Sequence, residues 1–192
     1  MTPDLQELLR QIDAIKADGP AVCAGLTESQ FNWRPGAGRW SIAECFVHVN
    51  LSVAATLPAF DRAIAEGRAK GRTASAGEGP IRYGWFSRWM IASMEPPPKR
   101  RMKTFPIFAV PEGATHPLGR VLPEFVAVRD QLAERVRRAE GLDLKRVRTV
   151  SPVTRLLRLP LGAYLQFVIA HDRRHVWQAR QVRNALSDSR QT

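Results

Sequence analysis

Cysteine is almost missing from this chain of 192 residues, with only Cys23 and Cys45 present. Two cysteines are too few to frame a disulfide-stapled secreted domain of this size, so the chain reads as a protein of a reducing cytoplasm. Long apolar runs are missing too. No uninterrupted stretch approaches the ~18–20 residues of a spanning helix, which argues against a membrane protein. The opening residues, MTPDLQELLRQ, are acidic and amphipathic where a secretory leader would be basic and then apolar. Alternating aromatic and β-branched runs are scarce as well, so an all-β fold is excluded. Ala, Leu, Arg, Glu and Gln dominate instead, and the 44% apolar content is enough for one helical domain spanning 1–192.

Acidic residues are in deficit: Lys+Arg is 29 against Asp+Glu 18, a formal +11. Such a charge suits nucleic acid or another acidic partner. The arginines, however, are spread along the whole chain, from Arg68 and Arg72 to Arg173 and Arg174. No zinc-finger spacing, RNA-binding aromatic motif or heptad-linked basic region accompanies them. A generally basic surface is the favoured reading, and a nucleic-acid site the alternative.

Helix signals are plentiful. Thr2-Pro3 opens a first helix with Leu5, Leu8, Leu9, Ile12 and Ile15 on one face, and Gly19-Pro20 interrupts or kinks it before about Leu26. Thr27 to Gln30 is a capping box for a short helical turn. Ser41 and Glu44 form a second box, with Trp40 and Cys45 placed as its staple. They start a second long helix whose stripe runs through Ile42, Phe46, Val49, Val53, Leu57, Phe60 and Ile64. Pro58 should kink this helix, and Gly67 should stop it. Residues 67–80 read as a mobile loop and 81–94 as a short buried helix, with a loop following to about Pro117. A third long helix spans Leu118 to Glu140, and 141–160 is mixed. The last helix runs from Pro160 or Leu161 to about Leu186. The expected fold is all-α: a four-helix bundle with a long insertion, about 67–117, between its second and third helices.

The chemistry concentrates in three of the four histidines. His171 and His175 lie four residues apart on the last helix, about 6 Å along one face and about 40° apart in direction. Two imidazoles at this spacing are the usual way one helix offers two ligands to one ion. The alternative is a pair of partly exposed histidines on a basic helix. Both fall on the shoulder of the buried face, in a row made by Tyr164, Val168, His171, His175, Gln178 and Val182. His48 stands off the main stripe of the second helix, near Glu44, Ser52 and Ala55. It faces a neighbour that periodicity alone does not identify.

The segment WSIAECFVH at 40–48, followed much later by HDRRHVWQARQV at 171–182, resembles the DinB-like superfamily of metalloenzymes. The stretch LTESQFNWRPGAGRW at 26–40 is similar to that family's lead-in to its second helix. The resemblance implies an up-down-down-up four-helix bundle, a homodimer and a divalent metal held by His48, His171 and His175. Three neutral imidazoles leave a divalent ion its charge and an open position, where water or a low-molecular-weight thiol is activated. Zinc, nickel and iron all accept such ligands. The expected function is a metal-dependent hydrolase or thiol-dependent transferase acting on a small molecule. The alternative is a non-catalytic, metal-stabilised binding protein with a basic surface.

Other residues have competing readings. Glu44 could orient a ligand or act as a base, but its capping role already accounts for it. Gln178 and Tyr164 are pocket candidates on the histidine row. Cys45 reads as a core residue. Asp172 points about 100° away from His171 and is expected to bond elsewhere. His116, beside Pro117, reads as a solvent-exposed bystander, and Trp85, Phe86 and Trp89 as core or pocket mouth.

Overall fold

Local capping places the helices close to where their spacing predicts. In a computed structural model of the chain, residues 1–74, 81–98, 104–111, 113–154 and 156–188 are described. The long helices are α1 (Pro3–Cys23), α3 (Ile42–Ala69), α5 (Leu118–Arg138) and α6 (Leu161–Asp188). Between them lie the short helices α2 (Glu28–Phe31) and α4 (Trp85–Met94) and a 3-10 turn at Pro106–Phe108. Both capping boxes form. At the head of α3, Ser41 Oγ accepts the Glu44 amide at 3.1 Å and the Glu44 carboxylate accepts the Ser41 amide at 2.8 Å. Thr2, by contrast, makes no side-chain cap, and Pro3 alone marks the start of α1.

Contacts along the helices give their directions. His48, early in α3, meets His171 and His175 midway along α6, while Phe60 meets Tyr164 near the start of α6, so these two run antiparallel. α1 runs parallel to α6: Gln11 accepts from Arg173, and Asp18 from Arg180. α5 is antiparallel to α1, with the Met1 amine on Glu140 just past α5 and Lys16 on Asp130. It runs parallel to α3, with Asn50 on the Val121 carbonyl and Asp61 on Arg135 and Arg138. The result is an up-down-down-up bundle in which α1 and α3 each pack between α5 and α6.

Several expectations are corrected. The Gly19-Pro20 step does not interrupt α1, which continues to Cys23. Gly19 instead permits a close approach, because a Cβ there would sit 2.5 Å from the Phe125 ring of α5. Gly19→Ala is therefore expected to cost about 1–3 kcal/mol by overpacking, despite alanine's better helix propensity. A lower urea midpoint at unchanged slope would register it.

α3 is, by length and composition, apolar enough to cross a membrane, contrary to the reading from uninterrupted runs. Its apolar window is 72% buried within the bundle, as befits a central helix. Its polar residues Glu44, His48, Asn50 and Ser52 break the run in the sequence, yet all are buried.

The segment 81–94 is helical only from Trp85 and is not a buried helix. Trp85, Phe86 and Trp89 are 74%, 41% and 61% exposed, because α4 lies against α6 on its other face. The mixed region 141–160 contains an antiparallel hairpin, β1 (Arg148–Val150) and β2 (Arg158–Pro160), with Thr149 opposite Leu159. The loop expected at 67–80 falls partly on 75–80, outside the described residues. His116 is half-buried, its backbone clamped at both ends by the Asn32 side chain, rather than a solvent-exposed bystander.

Candidate metal centre

The capping box fixes where α3 begins, and hence where His48 projects two turns later. There it meets the histidine pair of α6. One nitrogen from each of His48, His171 and His175 lies within 4.8 Å of the others, and the ring centroids are 4.6–5.1 Å apart. His48 Nδ1 lies 2.9 Å from the Phe108 carbonyl. A carbonyl only accepts, so Nδ1 carries the proton and Nε2 keeps its lone pair for the cluster. That Nε2 stands 3.3 Å from Nε2 of His171. Two nitrogens each ~2.0–2.1 Å from one tetrahedral ion would be separated by about 3.3–3.4 Å, so the His48–His171 spacing fits a shared metal.

His175 supplies a second test of fit. Its Nδ1 is buried and has no hydrogen-bond partner, although buried polar atoms are rarely left so. An imidazole nitrogen left so has a lone pair or an N–H to offer a bound group. Burial, chiefly, lowers the pKa of all three rings. His171 is pushed down to about 3, with His48 and the Arg174 and Arg129 cations adding to the effect. His48 is lowered by burial against the opposing Phe108 hydrogen bond. His175 is held well below its usual value by burial and then by its neighbours, while Gln178 works the other way. Neutral imidazole is the state that binds metal.

The cluster forms one wall of a cavity of about 1200 Å³. Tyr164, Val168 and Gln178, from the row on α6, line it together with the histidines. Glu44 does not. Its carboxylate is held by the Ser41 amide and by the Arg34 guanidinium, one of whose contacts is 3.0 Å, so its role is structural. Trp40, read from the sequence as a helix staple, stacks on His175 at 5.5 Å between centroids and lies 4.9 Å from His48. Its position two turns before His48 was the only sequence signal of this role.

The insertion contributes more than a loop. It brings Phe108 to His48, and Trp89, Met90, Ser93 and Met94 of α4 to the cavity, while the hairpin adds Ser151, Val153 and Leu157. Arg173 pairs with Glu95, with one contact at 3.1 Å, and Arg174 donates to the Ser93 carbonyl at 3.1 Å. These bonds tie α4 to α6.

Behind the cluster, Asp172 points away from the cavity, as its helical position predicts. It receives two hydrogen bonds of 2.9 Å from Arg129 of α5. Arg129 also donates to Asn50 of α3 at 2.6 Å and lies 3.8 Å over the Phe125 ring. Arg129, Asp172 and Asn50 are all buried, so this pair braces three helices beneath the histidines. Cys45 is a core thiol, its pKa raised by burial, and takes no part in the site.

The fold and its site thus define a four-helix bundle with a buried three-histidine cluster that could hold a metal ion, open to a large cavity. The sequence profile of the DinB superfamily matches residues 11–179, and the chain belongs to that superfamily. Neither a curated protein nor a solved structure matches it.

Proposed function

We propose that the protein is a metal-dependent enzyme that uses its three histidines to activate water or a low-molecular-weight thiol against a small molecule held in the cavity. One observation carries this reading: three neutral imidazoles converge, one with an unpartnered buried nitrogen, on the wall of a cavity of about 1200 Å³. His48, His171 and His175 would hold the ion, and the Phe108 carbonyl fixes the His48 tautomer. When bound, a divalent metal would supply Lewis acidity, lowering the pKa of a water or thiol presented to it. Trp40 covers one side of the cluster and limits access of bulk water. Gln178 lines the same cavity, about one helical turn on from His175.

Catalysis is favoured over a purely structural metal because the histidines border open space rather than closed core. Several of the arginines also serve the fold itself. Arg129, Arg135, Arg138, Arg173 and Arg180 all pair with carboxylates. Elemental analysis of protein purified without a histidine tag tests the proposal, with about one equivalent of zinc, nickel or iron expected. Less than about 0.2 equivalents after reloading with each of these ions would remove it.

A further inference from the structure

The chemistry of the cavity wall narrows what enters it. With the histidines neutral, its charged lining residues are Arg39 and Arg174, and no carboxylate lines it among the described residues. Most of the remaining wall is apolar or aromatic, including Trp40, Met94, Phe108 and Phe167. At about 1200 Å³ it exceeds the roughly 300–1,000 Å³ of ordinary small-molecule sites. Trp89 and Phe105 line the same space yet are 61% and 53% exposed, leaving apolar surface open beside it. Exposed apolar surface continuous with a cavity marks a binding site more often than a bare surface.

We infer that the cavity binds a monoanionic amphiphile, with its acidic head toward the histidines and arginines and its long apolar or aromatic body along the walls. This rests on the metal-site reading for the head and on the cavity alone for the body. A cation is disfavoured because every formal charge on the lining is positive among the described residues, and a bound divalent ion would add two more. A small polar anion would leave most of the apolar wall unused.

Cobalt-loaded protein, titrated with decanoate below its micellar range, tests the inference against two controls. One is butyrate, with the same head and little body; the other is decyltrimethylammonium, a chain of similar length with the opposite charge. Tryptophan fluorescence reports entry of the body, and the visible bands of cobalt report arrival of the head. Decanoate is expected to bind at least about a hundredfold tighter than butyrate and about tenfold tighter than the cation, and to shift the cobalt bands. Met90→Glu, which adds a carboxylate to the α4 wall, should weaken decanoate about tenfold while cobalt stoichiometry stays unchanged.

Full cobalt occupancy with no preference for decanoate over either control overturns the inference and leaves the metal reading standing. So does decanoate binding that Met90→Glu does not weaken, which would place the ligand elsewhere on the basic surface. If neither cobalt nor zinc, nickel or iron binds, the metal reading fails. The fluorescence titration of the metal-free protein then decides the inference by the same affinity order.

Discussion

His171→Ala is expected to reduce metal affinity by more than about a hundredfold, exceeding the 10–100-fold typical of losing an outer partner. The imidazole it removes stands 3.3 Å, nitrogen to nitrogen, from His48 and shares a face of α6 with His175. With it gone, two of three ligands remain, from different helices. Linkage makes the loss readable as stability. Metal at a hundred times its Kd stabilises a folded protein by about 2.7 kcal/mol, or roughly 5–10 °C in Tm for a chain of this size. Wild type should show that rise on adding zinc or nickel, and His171→Ala should show almost none at the same concentration. An equal rise in both proteins would mean that the ion binds elsewhere.

Asp172→Ala carries the second large effect, this time without metal. It strands Arg129, fully buried on α5, with neither of its two carboxylate bonds. Removing one partner of a buried ion pair typically costs about 3–5 kcal/mol, because the remaining charge has lost both water and counter-charge. Replacing both partners with apolar residues, Arg129→Met with Asp172→Leu, should recover much of that loss. Chemical denaturation of Arg129→Met, Asp172→Leu and the double variant gives the coupling directly. Single variants within about 1 kcal/mol of wild type would show that the pair is not the brace described. Because Asp172 adjoins His171, the single variant should also weaken metal binding, separating this brace from a merely stabilising pair.

The sequence was most informative where its signals are local. The Ser41–Glu44 capping box marks the start of α3, and both of its hydrogen bonds form. The row from Tyr164 to Val182 was legible from helical periodicity, and its members up to Gln178 line one cavity, while Val182 does not. Asp172 was correctly set apart from the site by one residue's rotation. The failures also have local causes. Three-residue strands such as Arg148–Val150 are too short to show alternation. The aromatics of α4 looked like core because their spacing is helical, yet a helix lying on the bundle's flank leaves one face open. Gly19-Pro20 was read as an interruption or a kink; the helix runs through it, and the glycine makes room for the Phe125 ring.

The capped starts of α2 and α3, the pairing of His171 with His175, and family membership through the two histidine segments all follow from residues within a turn or two of one another. Backbone hydrogen bonds and side-chain spacing act over that range, so they are written in the chain itself. Only tertiary packing decided the rest. It set His48 against a residue 123 positions away, gave it the carbonyl of Phe108 from 60 positions away, and placed Arg129 beneath the site. Such contacts depend on which helix faces lie together, and that is settled by burying the apolar surface of the whole bundle at once.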